Sequence, residues 1–244
     1  MHTHINHGAK NDSHVREPEG RVYSLEHIML MNEAAGIEKF FVSSFASVLS
    51  SEEVVTENEY VASLAERIAS LYQWVVIEPR IEETYLQAER MLKNSKCVGI
   101  KLHPCCQGWW LSEHYEAIAD FASQHSATLI VHPRDADEPY LVRMANEYPS
   151  VNIILPHLAR VSDVNAYLSG SKNGNFWLDT SGIGSSYNNI LEYAISKCGH
   201  EKILFGTDTY AAGFQRGRIE FAPISDEAKE NILRKNAERL FFSR

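Results

Sequence analysis

Histidine and aspartate residues occur in this sequence at positions where they could hold a metal ion. Two stand two residues apart at the start of the chain, and three follow short apolar runs further along: His2, His4, His132, His157 and Asp208. Imidazole nitrogens with one carboxylate form a ligand set that suits Zn2+, with Mn2+ or Fe2+ as alternatives. The pattern therefore predicts a divalent metal centre, with one or two ions per chain.

Each of these patterns is weak by itself. Two histidines at this spacing are common, a single buried histidine is more often structural, and an aspartate after Gly-Thr can cap a helix or turn. His2, His4 and His7 also resemble a purification tag, although the run is not a homopolymer and ordinary sequence follows it. The joint order of the five residues, at the ends of successive predicted strands, favours the metal centre.

The elements that must position these residues are visible in the apolar periodicity. Short apolar runs predict strands at 40–42, 74–77, 98–102, 128–131, 151–155, 176–178 and 203–205, and the segment His-Thr-His-Ile would be the first strand. Helical periodicity predicts helices at 25–35, 60–71, 82–93, 113–124, 138–147, 163–168, 189–198 and 226–242.

This alternation of strands and helices is typical of a parallel sheet. Eight strands in 244 residues predict closure into a (β/α)8 TIM barrel, a single domain over residues 1–244 with a short first strand. An open, doubly wound sheet is the alternative. It is disfavoured because no predicted strand is followed by a glycine-rich phosphate loop.

Functional groups of such a barrel lie at the carboxyl ends of the strands. Strand four would end in Gly-Ile-Lys-Leu-His-Pro, which contains Lys101 and His103. Side chains two residues apart on a strand share a face, as do those of His2 and His4. Lys101 is therefore a candidate catalytic residue, and its alternative role is to pair with a carboxylate at the barrel mouth.

Other polar residues near the strand ends are candidates for substrate binding. Arg134 and Arg160 follow the histidines of strands five and six, and Tyr210 follows Asp208. A guanidinium at the mouth could bind a carboxylate or phosphate, or it could equally pair with a neighbouring aspartate. Together with His103, these residues favour a small anionic substrate without naming it.

The composition narrows the classes of function. A formal net charge of −9 argues against broad binding to a nucleic acid backbone. No apolar run reaches the ~18–20 residues of a membrane span, and no leader segment is visible, so we expect a cytoplasmic protein without a membrane partner. Four irregularly spaced cysteines predict reduced thiols. The expected partner is a small-molecule substrate, and a homo-oligomer is possible.

Six segments taken together resemble the amidohydrolase superfamily. They are His-Thr-His at 2–4, Gly-Ile-Lys-Leu-His-Pro at 99–104, Ile-Val-His-Pro at 130–133, Leu-Pro-His-Leu at 155–158, Leu-Asp-Thr-Ser at 178–181 and Leu-Phe-Gly-Thr-Asp at 204–208. The most similar branch includes metal-dependent hydrolases, lactonases and decarboxylases. The motifs are fairly specific for the superfamily and poorly specific for the substrate.

The resemblance implies a metal-dependent hydrolase of an amide, a lactone or a related substrate. In it, the metal ligands are His2, His4, His132 and Asp208, and His157 ligates a second metal or contacts the substrate or water. Asp208 would also act as the general base for the attacking water. In binuclear relatives a lysine at the position of Lys101 is carboxylated and bridges two metals, whereas we favour a single metal here.

Three alternatives stay open at this point. A TatD-type deoxyribonuclease or phosphoesterase shares the barrel, and residues 132–138 are similar to its strand-five loop. Against it, Lys101 and Gly206 stand where that family carries glutamates. The others are a non-hydrolytic decarboxylase and a metal-binding barrel without catalysis. The sequence departs from the superfamily pattern in strand one. Only Met1 precedes His2 here, whereas members of the superfamily usually have several residues of strand one before the first histidine.

Overall fold

The computed structural model describes residues 2–5, 24–160, 167, 169–184, 186–209 and 211–243, with only the backbone at 159–160. Eight strands pair in parallel and in sequence order: β1 (His2–Ile5), β2 (Phe40–Ser44), β3 (Leu71–Val76), β4 (Cys97–Leu102), β5 (Leu129–Val131), β6 (Ile153–Leu155), β7 (Phe176–Asp179) and β8 (Ile203–Leu204). After β8, the backbone amides of Thr207 and Asp208 donate to the carbonyl of His2 at 3.0 and 3.1 Å. The predicted (β/α)8 barrel is confirmed.

Helices alternate with these strands along the chain. α-Helices cover Leu25–Ala34, Phe45–Leu49, Val54–Arg67, Glu82–Met91, Pro104–Gln107, Leu111–Gln124, Glu138–Glu147, Ile190–Cys198, Ala212–Glu220, Asp226–Glu230 and Asn236–Phe241. Short 3-10 turns lie at Ser51–Glu53, Asp135–Asp137 and His157–Arg160, and a π-helical turn at Asn231–Lys235. None of the helices in the described ranges is long and apolar enough to cross a membrane.

The longer helices form an outer layer because they bury an apolar stripe against the sheet. Helix Leu111–Gln124 is an example: it buries Leu111, Tyr115, Ile118 and Ala122, which recur every three or four residues. That spacing places the four side chains on one face of the helix. They join the main hydrophobic core, which also includes buried residues of the strands.

The interior of the barrel has an apolar layer beneath a polar one. The apolar layer contains the buried residues Phe41, Trp74, Ile130, Ile154, Trp177 and Leu204. Because side chains alternate along a strand, the residue two positions further on also faces inward. Ser43, His132 and Asp179 occupy such positions, so the polar residues collect at the carboxyl ends of the strands, above a closed apolar floor.

Both boundaries of the helix predicted at 60–71 are wrong. This helix begins at Val54 and ends at Arg67, and Ile68 has an extended backbone with φ −114° and ψ 109°. Leu71 continues the helical spacing of apolar residues, but it begins β3 and pairs with Phe40. Burial inside the sheet therefore decided the state of Leu71, which local periodicity could not distinguish from helix.

Three helices, at 45–49, 104–107 and 212–220, were not predicted. The first two are too short for a helical period to be visible, and Gly213 and Gly217 lower the helix propensity of the third. The helix predicted at 226–242 is interrupted by the π-helical turn Asn231–Lys235. The helix predicted at 163–168 lies outside the described residues except for Tyr167.

Candidate metal centre and active site

Three candidate ligands meet at the carboxyl end of the barrel, and we call them the first cluster: His2, His4 and Asp208. One ligand atom of each lies within 4.8 Å of those of the others. The two imidazole Nε2 atoms are 3.1 Å apart. Asp208 Oδ1 lies 3.3 Å from Nε2 of His4 and 3.9 Å from Nε2 of His2. Both histidines are buried, whereas Asp208 keeps a small exposed fraction toward the mouth.

The ring of His4 is oriented by β2. His4 pairs with Ser43 in the parallel register of β1 and β2. Its Nδ1 lies 3.0 Å from the Ser43 hydroxyl and 3.3 Å from the Ser43 carbonyl. A carbonyl only accepts hydrogen bonds, so the hydrogen of the neutral ring belongs on Nδ1. The lone pair of Nε2 therefore points toward the other two members of the first cluster.

The ring of His2 is oriented by the end of β7. Its Nδ1 lies 3.2 Å from Oδ2 of Asp179 and 3.3 Å from the hydroxyl of Ser181. Asp179 is itself held, because its Oδ1 accepts the backbone N–H of Ser181 at 2.6 Å. A carboxylate behind a metal-binding imidazole fixes the ring and raises its basicity. Asp179 thus leaves Nε2 of His2 as the ligand atom.

Asp179 is a member of the candidate site that the sequence reasoning missed. It belongs to the segment Leu-Asp-Thr-Ser at 178–181, to which no role was given. The available signal was a carboxylate placed directly at the end of an apolar strand. The structure also explains Gly206, because a Cβ there would lie 2.6 Å from Oδ2 of Asp179. A glutamate at 206 would have no room beside this carboxylate.

Burial sets the protonation of the first cluster. It lowers the pKa of His2 and His4, which keeps both rings neutral and able to donate a lone pair. Oδ1 of Asp208 faces Nε2 of His4, so the carboxylate and the two neutral rings present lone pairs to one another. Burial lowers the pKa of Lys101 to about 8, and its Nζ lies 3.3 Å from Nε2 of His2.

These residues fit a divalent cation. Two imidazole lone pairs and an ionised carboxylate converge, while the Nδ1 atoms that could donate are already turned toward Ser43 and Asp179. Three acceptors that face one another in a buried site repel unless a cation or a proton lies between them. The set of two nitrogens and one oxygen is typical of Zn2+ and related ions.

His157 lies beside the first cluster, opposite the second oxygen of Asp208. Its Nε2 is 3.9 Å from Oδ2 of Asp208, and its Nδ1 donates to the carbonyl of Ser181 at 2.9 Å. His157 and Asp208 have φ angles of 61° and 53°, which non-glycine residues rarely adopt. Such backbone conformations concentrate at functional sites. Gly182 leaves the space, since a Cβ there would lie 2.7 Å from Nδ1 of His157.

A second group of candidate ligands lies nearby, and we call it the second cluster: His103, Cys105 and His132. One ligand atom of each lies within 4.8 Å of those of the others. The ring centroid of His132 is 4.5 Å from that of His103 and 5.0 Å from that of His157. The sequence reasoning grouped His132 with the first cluster. The structure places its ring between His103 and His157, and its ligation of the first metal stays a prediction.

The predicted substrate-binding residues are only partly visible. Arg134 is half-buried, its Nε donates to the carbonyl of Pro104 at 3.3 Å, and its guanidinium stacks 4.1 Å from the ring centre of Trp110. The side chain of Arg160 and the whole of Tyr210 lie outside the described residues. Arg134 therefore sits next to the helix Pro104–Gln107, on the side of the mouth that carries the second cluster.

The comparisons with known proteins identify the family of the chain. The sequence model of a family described as amidohydrolase matches residues 1–242 of this chain. The chain belongs to the amidohydrolase family. This confirms the resemblance read from the six motifs. No curated protein sequence matches this amidohydrolase-family chain.

Solved structures share the fold of this amidohydrolase-family chain. 2,6-Dihydroxybenzoate decarboxylase from Rhizobium is 18% identical over 98% of this chain and 96% of its own, with a TM-score of 0.73. 5-Carboxyvanillate decarboxylase from Sphingomonas paucimobilis is 16% identical over 93% and 87%, with a TM-score of 0.72. A dihydroxybenzoic acid decarboxylase from Polaromonas sp. JS666, solved with manganese and 2-nitroresorcinol, is 18% identical over 98% and 95%, with a TM-score of 0.71. At these identities the likeness shows the fold.

Proposed function

We propose that this amidohydrolase-family protein is a metal-dependent hydrolase of an amide, a lactone or a related small anionic substrate. The observation that carries the proposal is the environment of Asp208. Its Oδ1 lies 3.3 Å from Nε2 of His4 and its Oδ2 lies 3.9 Å from Nε2 of His157, so this one carboxylate reaches both the first cluster and the neighbouring imidazole. An ionised carboxylate can accept a proton from water, whereas it is poorly suited to donate one.

The first cluster would hold the cation through Nε2 of His2, Nε2 of His4 and the carboxylate of Asp208. We keep His132 as the further ligand of this ion. A divalent ion there would supply a Lewis acid that polarises a carbonyl and lowers the pKa of water. We propose Zn2+ as the ion, in a single tightly bound site. The manganese in the Polaromonas decarboxylase supports a divalent cation in this fold and also makes Mn2+ a plausible occupant.

The residues of this chain then divide the proton transfers between them. Asp208 accepts the proton of the attacking water at Oδ2, the oxygen that faces His157. Because His157 Nδ1–H donates to the carbonyl of Ser181, its Nε2 can take up that proton and deliver it to the leaving group. Lys101, fully buried beside His2, would stabilise negative charge that develops on the substrate.

The substrate would enter over the second cluster. Arg134 presents a half-buried guanidinium there, which suits the carboxylate of a small anionic substrate. We keep His103, Arg160 and Tyr210 in the proposed substrate-binding set because each follows the end of a strand. The acidic net charge of −9 makes a nucleic acid an unfavourable substrate.

A second candidate function is decarboxylation of a hydroxylated aromatic acid. It is favoured by the names of the solved relatives, which act on 2,6-dihydroxybenzoate and 5-carboxyvanillate. That reaction releases CO2 and places a proton on the ring carbon, so it needs a protonated donor where hydrolysis needs a base. We keep hydrolysis as the first candidate because Asp208, a carboxylate beside the imidazole of His157, is placed to act as such a base.

One assay panel tests both candidates. Metal-free protein is reconstituted with Zn2+ or Mn2+ and given lactones, N-acyl amino acids, the two aromatic acids and single-stranded DNA. We expect metal-dependent turnover of a lactone or an N-acyl amino acid, reduced at least about 10²-fold in Asp208→Asn. The control Glu89→Gln, on an outer helix, should keep full activity. Release of CO2 without any hydrolysis would replace the proposal with the second candidate, and turnover of DNA alone would refute both.

A further inference from the structure

We propose that Trp110 is a positioning residue for Arg134, and that the pair makes the site select a substrate with a carboxylate over an uncharged one. Arg134 would bind the carboxylate, whereas Trp110 would act only by holding the guanidinium in place. The inference rests on the proposed function and deepens it, because it names a residue that has no role there and the charge by which substrates are distinguished.

Two adjacent tryptophans follow the helix Pro104–Gln107 and lie in different environments. Trp109 is buried in the main hydrophobic core, and its Nε1 donates to Oε1 of Gln107 at 3.0 Å. Trp110 is 44% exposed and is not part of that core. Core packing therefore explains the tryptophan at 109, whereas the tryptophan at 110 needs another explanation.

The indole of Trp110 supports one face of the Arg134 guanidinium. Cζ of Arg134 lies 4.1 Å from the centre of the indole ring, which is within the range of a cation–π contact. Nε of Arg134 donates to the carbonyl of Pro104 at 3.3 Å. Together the two contacts fix the plane of the guanidinium. They leave the edge formed by its two Nη atoms, which carries four of its five N–H groups, for a ligand.

Asp137 joins the two segments that carry this pair and does not neutralise Arg134. Its buried carboxylate accepts the backbone N–H of Arg134 at 2.7 Å and that of Leu111, the residue after Trp110, at 3.3 Å. Both oxygens are thus engaged with backbone amides. In the described part of the chain, the side-chain contacts of Arg134 are those with Pro104 and Trp110, and no carboxylate forms an ion pair with it. Its charge is therefore available to an anionic ligand.

A guanidinium held in this way suits a carboxylate better than a neutral group. The two oxygens of a carboxylate match the two parallel N–H bonds of a guanidinium edge, and both bonds are strengthened by charge. An arginine that is already fixed loses less side-chain freedom when the ligand binds, so the same hydrogen bonds give a higher affinity. Arg134 is two residues beyond His132 and contacts Pro104, the residue after His103. A carboxylate bound there would lie at the edge of the reaction space.

Nuclear magnetic resonance of the full chain loaded with Zn2+ tests the pair without an assay of activity. The Nε–H signal of Arg134, assigned by its loss in Arg134→Lys, is followed during titration with benzoate or with benzamide, an uncharged analogue. We expect a saturable shift with benzoate alone. Its Kd should rise about three- to tenfold in Trp110→Leu and at most about twofold in Trp110→Phe, which keeps an aromatic face. The control Phe242→Leu removes the ring 4.4 Å from Lys39 and should leave the Kd unchanged.

Kinetics give a second measurement and separate this inference from the proposed function. Trp110→Leu should raise KM for N-acyl amino acids about three- to tenfold, leave kcat within about twofold and leave KM for uncharged lactones unchanged. The absence of a shift with benzoate, an equal shift with benzamide, or equal losses in Trp110→Phe and Trp110→Leu would each overturn the inference. The benzoate shift without any hydrolysis would retain the pair and remove the hydrolase, and hydrolysis without the shift would do the reverse.

Discussion

The two clusters at the barrel mouth differ in how their ligands are held. In the first cluster, both histidines belong to β1 and each has a partner behind its Nδ1, Ser43 for His4 and Asp179 for His2. In the second cluster, Cys105 is exposed and belongs to a four-residue helix. The first cluster is therefore fixed by the sheet, and the second by contacts to the backbone of one short helix.

This difference teaches how one barrel mouth can combine side chains that are held firmly with side chains that are held less firmly. Ligands on strands, with carboxylate and hydroxyl groups behind them, are held in a defined geometry before any ion binds. A ligand on a short helix depends on the anchoring of that helix, here through Arg80 and Arg134. We therefore expect the first cluster to set catalytic geometry and the second to be more easily altered.

Loss of a ligand from the first cluster should have the largest effect. His4→Ala removes an imidazole whose Nε2 lies 3.1 Å from that of His2. We expect metal affinity at this cluster to fall by more than about 100-fold, beyond the cost of losing an outer partner. Metal analysis after equilibrium dialysis measures this. An unchanged first-cluster affinity in the variant would contradict the comparison, and His103→Ala should leave that affinity within about threefold.

Loss of the carboxylate behind His2 should have a smaller effect. Asp179→Asn keeps the shape of the side chain and an acceptor for the Ser181 N–H, but it removes the negative charge facing Nδ1 of His2. We expect metal affinity at the first cluster to fall about 10- to 100-fold. The matched control is Asp137→Asn, a buried carboxylate near the second cluster, which should not change that affinity. Equal losses in the two variants would indicate a general loss of structure instead.

Removal of the ion pair that anchors the second cluster should have the smallest effect. Glu78 is fully buried, and its carboxylate accepts from Arg80 Nε at 2.7 Å. Breaking a fully buried pair costs about 3–5 kcal/mol. The Arg80 side chain is 44% exposed and therefore screened, so for Glu78→Gln we expect the free energy of unfolding to fall by about 1–2 kcal/mol. Denaturant unfolding measures this change.

The loss of stability in Glu78→Gln should depend on pH, and the sign of this dependence follows from the pKa of Glu78. Burial raises the pKa of Glu78, but the hydrogen bonds from Arg80 and Ser51 outweigh it and lower the pKa in the folded state. A carboxylate with a lowered folded pKa stabilises the protein above its unfolded pKa of about 4.5 and loses this contribution as the pH falls. The stability difference should therefore shrink below that pH. Glu89→Gln, an exposed i,i+4 pair with Lys93, should show almost no difference at any pH.

Much of the fold was readable from the sequence because burial imposes a period. All eight strands lie within a few residues of their predicted positions. A short apolar run between two helical segments is typical of a buried strand, so its position is visible in the sequence. The helix end at Arg67 could not be predicted, because Leu71 suits both a helix face and a strand. The turn of Pro104–Gln107 was also invisible, since four residues carry no helical period.

The sequence by itself determined which residues meet in the first cluster. Two histidines at a two-residue spacing must share a face of β1, and an aspartate after the last strand must return beside the first, because the barrel closes. The first constraint follows from the spacing along one strand and the second from the order of the strands, so both can be read from the sequence.

Only the tertiary structure decided which residues stand behind and beside those ligands. Asp179 faces His2, and Gly206 makes room for it, although neither is near His2 in sequence. The ring of His132 lies beside that of His103, the residue that follows the neighbouring strand, and Cys105 joins them from a short helix. These contacts depend on strand register and on side-chain direction around a closed barrel, which the order of residues along one strand does not contain.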